Sequence, residues 1–124
     1  MTSTLDEQRS SPAPLDQSVV EQLLKKWCLG DERCGVILQD NTIIELTNGW
    51  PDPAHAFGLL YDEMNEVFRR HGRGSVLGIW HTHPNNRCRP SAQDEAGWPV
   101  GNFRYFIVTQ FEVAEWASPL DRLH

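Results

Sequence analysis

An almost unbroken apolar segment, residues 75–80, runs directly into His81 and constrains the fold of this 124-residue chain more than any other feature. A strand that is apolar on both faces is typical of the centre of a sheet, where other elements cover it from both sides. Pro84 ends strand pairing soon afterwards, because proline has no N–H group to donate. The sequence therefore predicts a layered domain whose central strand ends at two histidines, His81 and His83.

Two amphipathic segments predict helices that can cover this strand. In residues 16–28 the large apolar side chains fall at helical spacing, and Gly30 lies where a C-terminal cap belongs. Residues 61–70 place their apolar side chains on one helical face, and Gly72 and Gly74 follow as a stop signal. The sequence thus predicts two helices that precede the central strand in the chain, the second of them immediately before it.

Shorter β-branched or apolar segments predict the remaining strands. Residues 34–38 and 42–46 flank a polar turn, which is typical of a hairpin, and a loop of turn formers follows at 48–53. A brief strand at 56–60 and two closing strands at 103–109 and 112–116 complete the pattern. Periodicity alone therefore predicts an α+β fold in one domain.

Chain length and local composition bound the domain organisation. A chain of 124 residues suits one domain with a real core and is too short for two. Residues 1–14 are rich in Ser, Thr and Pro and contain one large apolar side chain, Leu5, so they cannot bury enough surface to fold. We expect a flexible tail at 1–14 and a folded domain at 15–124.

Charge, hydropathy and cysteine content exclude several classes of function. The chain has 17 acidic against 11 basic residues and a net charge of −6, which argues against nucleic acid as a partner. No apolar segment approaches the roughly 20 residues that cross a bilayer, and the N-terminus lacks a signal-peptide pattern. Three cysteines without a Cys-x-x-Cys pair predict neither a disulfide scaffold nor a zinc ribbon. We therefore expect a cytoplasmic protein.

The end of the predicted central strand carries the motif that points to chemistry. His81 and His83 are two apart, so both imidazoles lie on one side of the strand. Pro84 is followed by six loop residues, and then come Ser91 and Asp94, which have the spacing of a helix capping box. A helix that begins there would bring Asp94 back as a third ligand. Two histidines and one carboxylate leave a tetrahedral position open for water, as in catalytic rather than structural zinc sites.

The segments His81-Thr82-His83-Pro84 and Ser91-Ala92-Gln93-Asp94 together resemble the signature of the JAMM (MPN-type, or JAB) zinc metalloproteases, in their minimal prokaryotic or phage form. That family has an upstream glutamate just before a Cys-Gly pair that opens an apolar strand, and Glu32 occupies this position. The resemblance covers about residues 16–116. It implies a mixed α/β domain with a curved, mainly antiparallel sheet flanked by helices, in a layout related to that of cytidine deaminases.

The resemblance also implies a mechanism and a set of partners. One Zn²⁺ per chain would be held by His81, His83 and Asp94, with Glu32 as general acid and base and Ser91 as the donor to the oxyanion. The reaction would be hydrolysis of a peptide or isopeptide bond in a protein or peptide substrate. A ubiquitin-like or sulfur-carrier protein with a Gly-Gly tail is one candidate. A homodimer or a partner subunit is a further expectation from the family.

Several alternatives remain open at this point. A phage tail-assembly or cell-wall-processing peptidase of the same family would be associated with virions, and a non-catalytic MPN-type module would only bind partners. A zinc deaminase requires His-x-Glu and Pro-Cys-x-x-Cys, and the chain has neither. A structural zinc site needs a fourth protein ligand, and only Cys88 is close in sequence.

Other conspicuous residues have simpler interpretations. Cys34 opens an apolar strand, which favours a small buried hydrophobe over a nucleophile. Cys88 lies between Arg87 and Arg89, which indicates a loop that faces the substrate and an exposed thiol. The remaining candidates are two predicted surface histidines, His55 and His71, and two tryptophans in loops that can line a cleft, Trp50 and Trp98.

Overall fold

A computed structural model describes residues 13–96 and 103–117 of the chain. These residues form a five-stranded sheet in the order β2-β1-β3-β4-β5. Three of its four neighbouring pairs are antiparallel, and β3 and β4 are parallel. The predicted mainly antiparallel sheet is therefore confirmed. The strands are β1 (Cys34–Leu38), β2 (Ile43–Leu46), β3 (Val76–Thr82), β4 (Arg104–Val108) and β5 (Val113–Glu115).

Helices cover both faces of the sheet. They are α1 (Gln17–Leu24), α2 (Tyr61–His71) and the short α3 (Ala92–Ala96), and a 3₁₀ turn at Arg73–Ser75 leads into β3. Because neighbouring residues of a strand point to opposite faces, each central strand contributes to two cores. One core lies under α1 and comprises Val19, Leu23, Ile37, Trp80, Phe106 and Val108. The other lies under α2 and comprises Val36, Leu38, Val67, Val76 and Ile79.

Three sequence predictions about these elements are confirmed. The apolar segment before His81 is the central strand β3, which is buried along nearly its whole length. The predicted hairpin is β1 and β2. The second helix ends at Gly72, whose φ of 82° suits glycine because it has no Cβ to clash. In the described part of the chain, no helix has the length and apolarity needed to cross a membrane.

Two predictions about element boundaries are wrong. α1 ends at Leu24 rather than near residue 28, so Gly30 lies in a loop and does not cap it. The last turn tightens, with the N–H of Trp27 bonded to the carbonyl of Leu24, and this lets the Trp27 indole reach the site described below. The brief strand expected at 56–60 is reduced to one isolated bridge between Asn48 and Leu59. The predicted tail at 1–14 lies almost wholly outside the described residues.

The connection between the parallel strands positions the site. Since β3 and β4 are parallel, the chain must cross from the end of one to the start of the other, and α3 lies on this crossover. The crossover begins at His83, directly after β3. It therefore returns α3 to the same end of the sheet at which the two histidines lie.

Candidate metal centre

Four buried side chains meet at the end of β3: Glu32, His81, His83 and Asp94. One potential ligand atom from each lies within 4.8 Å of all the others. The Nε2 atoms of His81 and His83 are 2.8 Å apart, and Asp94 Oδ2 lies 3.2 Å and 3.0 Å from them. Glu32 Oε1 is 3.9 Å from His81 Nε2. The structure thus brings together the three predicted ligands and the predicted acid/base residue.

Neighbouring groups orient both imidazoles. His83 Nδ1 lies 2.7 Å from the carbonyl oxygen of Arg87, which acts as acceptor and leaves Nε2 free to bind a metal. The ring of Phe57 stacks on the ring of His81, with centroids 4.3 Å apart. Trp27 donates its indole N–H to the carbonyl of His83 at 2.9 Å. The two nitrogens that face each other are therefore held in place from several directions.

Burial and hydrogen bonding set opposite protonation tendencies for these imidazoles. Burial lowers the pKa of His81, and its hydrogen bond with Asp94 only partly opposes this. Burial also disfavours the charged form of His83, but the contacts with Asp94 and the Arg87 carbonyl outweigh it and raise its pKa. Desolvation likewise opposes ionisation of Asp94, yet hydrogen bonds from both histidines hold the pKa of this carboxyl well below its usual range. The predicted third ligand, Asp94, is therefore an anion at neutral pH.

The predicted capping box fixes Asp94 on α3. The backbone N–H of Asp94 donates to Ser91 Oγ at 3.0 Å, and the N–H of Ser91 donates to Asp94 Oδ2 at 2.9 Å. Oδ2 is also the oxygen that faces the two histidines. The cap therefore sets both the start of the helix and the position of the ligand atom. Ser91 itself lies at the edge of the cluster and is not one of its four members.

Glu32 reaches the cluster from the loop between α1 and β1. Its N–H donates to the carbonyl of Pro53 at 2.7 Å, and its carbonyl accepts from Asn48 Nδ2 at 2.8 Å. The side chain is only 6% exposed. Burial raises the pKa of Glu32 to about 8; His83 opposes this shift and the charge of Asp94 reinforces it. The result is a carboxyl group that exchanges its proton near neutral pH.

The residues present fit a zinc-type metal ion. Among the described residues, Glu32 Oε1 and His81 Nδ1 are buried without a hydrogen-bond partner, and the former lies within the cluster. Two imidazole nitrogens and carboxylate oxygen are donors that zinc prefers. The three short separations approach the roughly 3.3 Å expected between ligands of one tetrahedral ion with bonds of about 2.0–2.2 Å. A cation would also balance the negative charge of Asp94.

Two cavities flank the cluster. The first, of about 420 Å³, is lined by residues that include Glu32, His83, Arg87, Arg89 and Ser91. The second, of about 490 Å³, is more apolar and is lined by residues that include Trp50, Phe57, Ile79, Asp94 and Tyr105. The prediction that Trp50 lines a cleft is confirmed, whereas Trp98 lies outside the described residues. The cluster is therefore accessible from two sides.

The other chemistry-bearing residues of the sequence lie outside the cluster. Burial raises the pKa of the Cys34 thiol to about 12, which confirms a buried hydrophobe rather than a nucleophile. Cys88 lies 3.2 Å from Glu112 Oε1 and is not a member of the cluster. All three cysteines are free. His55 and His71 are exposed, as predicted, although His55 also lines the first cavity.

Sequence reasoning missed the groups that hold the site together. Asn48 bonds to the backbone of Glu32 and of Ala56, but an asparagine in a turn-rich loop gives no local signal for this role. The carbonyl that orients His83 belongs to the backbone and leaves no trace in residue type. The Trp27 contact spans 56 positions of sequence. Such supports become visible only once the chain is folded.

Comparisons with known proteins agree with this fold. The sequence model described as prokaryotic homologs of the JAB domain matches residues 12–119. A solution structure of a protein from Desulfitobacterium hafniense is 21% identical, with a TM-score of 0.50 over 79% of this chain and 85% of that one. Another, from Salinibacter ruber, is 20% identical, with a TM-score of 0.52 over 86% and 82%. Both are similar in fold. No curated protein matches this chain.

Proposed function

The chain belongs to the family of prokaryotic JAB-domain homologues, and on that premise we propose that it is a zinc-dependent peptidase or isopeptidase. The observation that carries the proposal is the buried cluster of Glu32, His81, His83 and Asp94 between two cavities. In this proposal His81, His83 and Asp94 hold one Zn²⁺ per chain. When bound, such an ion supplies Lewis-acid chemistry, which acidifies water and polarises a carbonyl group.

Glu32 is the proposed general base and acid. Its Oε1 is buried, lacks a hydrogen-bond partner among the described residues and faces the cluster. It can accept a proton from the attacking water and later donate that proton to the nitrogen of the leaving amine. Burial raises the pKa of this carboxyl above its usual range in the metal-free protein, which favours a group that can donate a proton as well as accept one.

Ser91 is the proposed donor to the oxyanion. Its Oγ accepts the N–H of Asp94, so its own hydroxyl hydrogen remains available to donate. It lines the first cavity together with Glu32. A donor placed beside the reacting carbonyl stabilises the charge that develops on oxygen. The substrate class we propose is a protein or peptide, with the Gly-Gly tail of a ubiquitin-like or sulfur-carrier protein as the first candidate.

The test combines metal content with hydrolysis by the full chain. The parent protein should bind about one zinc per chain, and His83→Ala and Asp94→Asn should bind almost none, as measured by elemental mass spectrometry. His71→Ala is the matched control, because His71 is exposed on α2 and lies outside the cluster. Loss of zinc in the ligand variants alone would support the metal site.

Glu32→Gln separates catalysis from metal binding. This variant should keep its zinc and lose hydrolysis of Gly-Gly-containing peptides by about 10²- to 10⁴-fold, the usual contribution of general acid–base catalysis. A parent protein that holds zinc and cleaves no Gly-Gly peptide or Gly-Gly-tailed protein would contradict the peptidase proposal. That outcome would favour a binding module on the same fold.

A further inference from the structure

The first cavity combines residues of the candidate site with two arginines. It is lined by Glu32, His83 and Ser91 on one side and by Arg87 and Arg89 of the loop before α3. Among the residues that the structure describes, Glu32 is the sole acidic one in its lining. The chain as a whole has a net charge of −6, so two cations at one cavity of the candidate site differ from the charge of the average surface. This local charge affects which molecules the cavity can bind.

These two arginines also differ from most other cations of the described residues. Six of the nine described Lys and Arg side chains have a partner: Lys26, Arg33, Arg69, Arg70 and Arg104 pair with glutamates, and Arg73 lies over aromatic rings. In the same part of the chain, Arg87, Arg89 and Lys25 form no ion pair. Lys25 lies on the C-terminal side of α1, outside the cavity lining. The two arginines at the cavity thus have guanidinium groups available for an anion.

The loop that carries them is held in place. His83 Nδ1 bonds to the carbonyl of Arg87, and Trp116 donates its indole N–H to the carbonyl of Cys88 at 3.0 Å. The N–H of Arg87 donates to Asn85 Oδ1 at 2.9 Å. Because the backbone on both sides of Cys88 is anchored, less ordering is required when a ligand binds. The hydrogen bonds of this loop therefore hold the backbone that carries the two arginine side chains.

The position of Glu32 indicates which part of a substrate enters this cavity. In the proposed function Glu32 donates the proton to the leaving amine, so the leaving group lies on the side of this residue. Glu32 lines the first cavity, and the lining of the second does not include it. The first cavity is therefore on the leaving-group side, and the apolar second cavity is on the acyl side.

From these observations we infer that the enzyme selects substrates whose leaving group carries a carboxylate, which Arg87 and Arg89 bind. The inference rests on the proposed function. Hydrolysis breaks the C–N bond and forms a C–O bond from water, and the proton taken from water passes to the leaving nitrogen, so the carboxylate departs unchanged with the amine. Guanidinium groups match carboxylates in charge and geometry. The carboxylate can be the free C-terminus of the leaving residue or an acidic side chain.

A series of blocked peptides distinguishes the two sources of carboxylate. All share an acyl part that ends in Gly-Gly, followed by alanine with a free carboxylate, alanine amide, glutamate amide or glutamine amide. With zinc-loaded full chain, kcat/KM for the matching carboxylate peptide should exceed that of its amide counterpart by about tenfold. A preference for the peptide that ends in alanine with a free carboxylate shows that the arginines recognise a C-terminal carboxylate. A preference for the peptide that ends in glutamate amide shows that they recognise a side-chain carboxylate. The preference should fall in 0.5 M salt, because exposed charges are screened.

Charge-removing variants connect the preference to the arginines. The double change Arg87→Gln and Arg89→Gln should bring the ratio of carboxylate to amide close to one. Lys25→Gln is the matched control, because it removes one unpaired cation outside the cavity, and it should keep the parent ratio. The inference is overturned if the ratio of carboxylate to amide is near one in the parent, or if a high parent ratio is unchanged in the double variant. The proposed peptidase function stands in both cases.

A binding measurement keeps the inference separate from the activity. The same peptides are titrated into the Glu32→Gln protein, and affinity is followed by NMR chemical shifts of the backbone amides around the first cavity, which the double arginine variant also contains. Tighter binding of the carboxylate peptide that is lost in the double arginine variant supports carboxylate recognition by Arg87 and Arg89, whether or not the peptide is hydrolysed. Hydrolysis by the parent protein tests the proposed function separately. Equal binding of carboxylate and amide peptides overturns the inference.

Discussion

Glu32 is a carboxyl group in a place that disfavours its charge. Burial raises its pKa from 4.5 to about 8 in the metal-free protein. The unfolded chain releases this proton above pH 4.5, whereas the folded chain retains it until about pH 8. The folded state therefore loses stability through this group as pH rises from about 4.5 to 8, by an amount on the order of a few kcal/mol.

Glu32→Gln removes this titration while preserving the shape of the side chain. We compare the melting temperature of the variant with that of the parent, both without metal, at pH 5 and at pH 8. The difference, variant minus parent, should be about 5–10 °C larger at pH 8 than at pH 5. Thermal unfolding followed by circular dichroism in a chelating buffer measures the difference. If the melting temperatures of variant and parent differed by the same amount at both pH values, Glu32 would ionise in the folded chain as it does in water.

Individual site residues differ in how far the sequence alone predicts them. His81 and His83 follow from strand alternation, and Asp94 follows from a capping box, because both rules act over a few residues. Glu32 meets them across about 50 positions of sequence, so only the family resemblance indicated it. Asn48, which anchors Glu32, was not predicted as part of the site, since its contacts are made to backbone atoms.

The contact between β1 and β2 depends on the absence of a side chain at Gly35. A Cβ atom there would lie 2.0 Å from the carbonyl oxygen of Ile44 and 2.9 Å from Trp80 Nε1. Gly35→Ala should therefore force β1 and β2 apart and lower the free energy of unfolding by at least about 3 kcal/mol. Urea denaturation measures this.

Gly74 provides the matched control for that change. A Cβ atom at Gly74 meets no heavy atom within 4 Å, so Gly74→Ala should change the free energy of unfolding by less than about 1 kcal/mol. Comparable losses in the two variants would indicate that β1 and β2 have room to adjust and would contradict the role given to Gly35.

Asn48 joins the loop of residues 48–58 to the segment that carries Glu32. Its Nδ2 donates to the carbonyls of Glu32 and Ala56, and its Oδ1 accepts from the N–H of Trp50 and of Gly58. Asn48→Ala leaves these backbone groups without their partner. We expect a loss of about 2–3 kcal/mol in the free energy of unfolding, measured with urea.

An exposed asparagine on α2, Asn65, is the control for this prediction. Asn65→Ala should be neutral or slightly stabilising, because alanine favours a helix and no buried backbone group depends on the amide. If Asn48→Ala proved as mild as Asn65→Ala, water would be replacing the side-chain contacts and the loop would not depend on them.

The elements themselves were predictable where one face or both are buried. β1 and β3 stood out as apolar segments because helices cover both sides of them. The end of α1 was misplaced by several residues because Trp27 continues the helical pattern of apolar positions but turns toward His83 instead. The predicted strand at 56–60 failed because its backbone bonds largely to side chains and loops rather than to a neighbouring strand.

At the scale of the whole molecule, the candidate metal site links distant parts of the chain. Glu32 lies before β1, the histidines lie at the end of β3 and Asp94 lies on the crossover to β4. The order of the strands and the parallel pairing of β3 with β4 could not be derived from local patterns, since they depend on contacts between separate segments. The family resemblance supplied only the mainly antiparallel character of the sheet and the helices that flank it.

A metal ion that joins these segments should stabilise the whole fold. Binding to the folded chain alone adds about 2.7 kcal/mol when free metal is a hundred times its dissociation constant, so zinc should raise the melting temperature by on the order of 10 °C. Differential scanning calorimetry with and without chelator measures the shift. His83→Ala and Asp94→Asn should lose it, whereas Glu32→Gln should retain most of it, because the three other residues are the proposed ligands.

The same shift should depend on pH in a direction set by His83. Zinc binds neutral imidazole, and the contacts of His83 with Asp94 and the Arg87 carbonyl, which outweigh its burial, raise the pKa of this residue. Protons therefore compete with the metal, and the zinc-induced shift should shrink as pH falls below the range in which His83 is neutral. A shift that persists unchanged in acid, or in the His83→Ala protein, would mean that zinc stabilises the chain from another site.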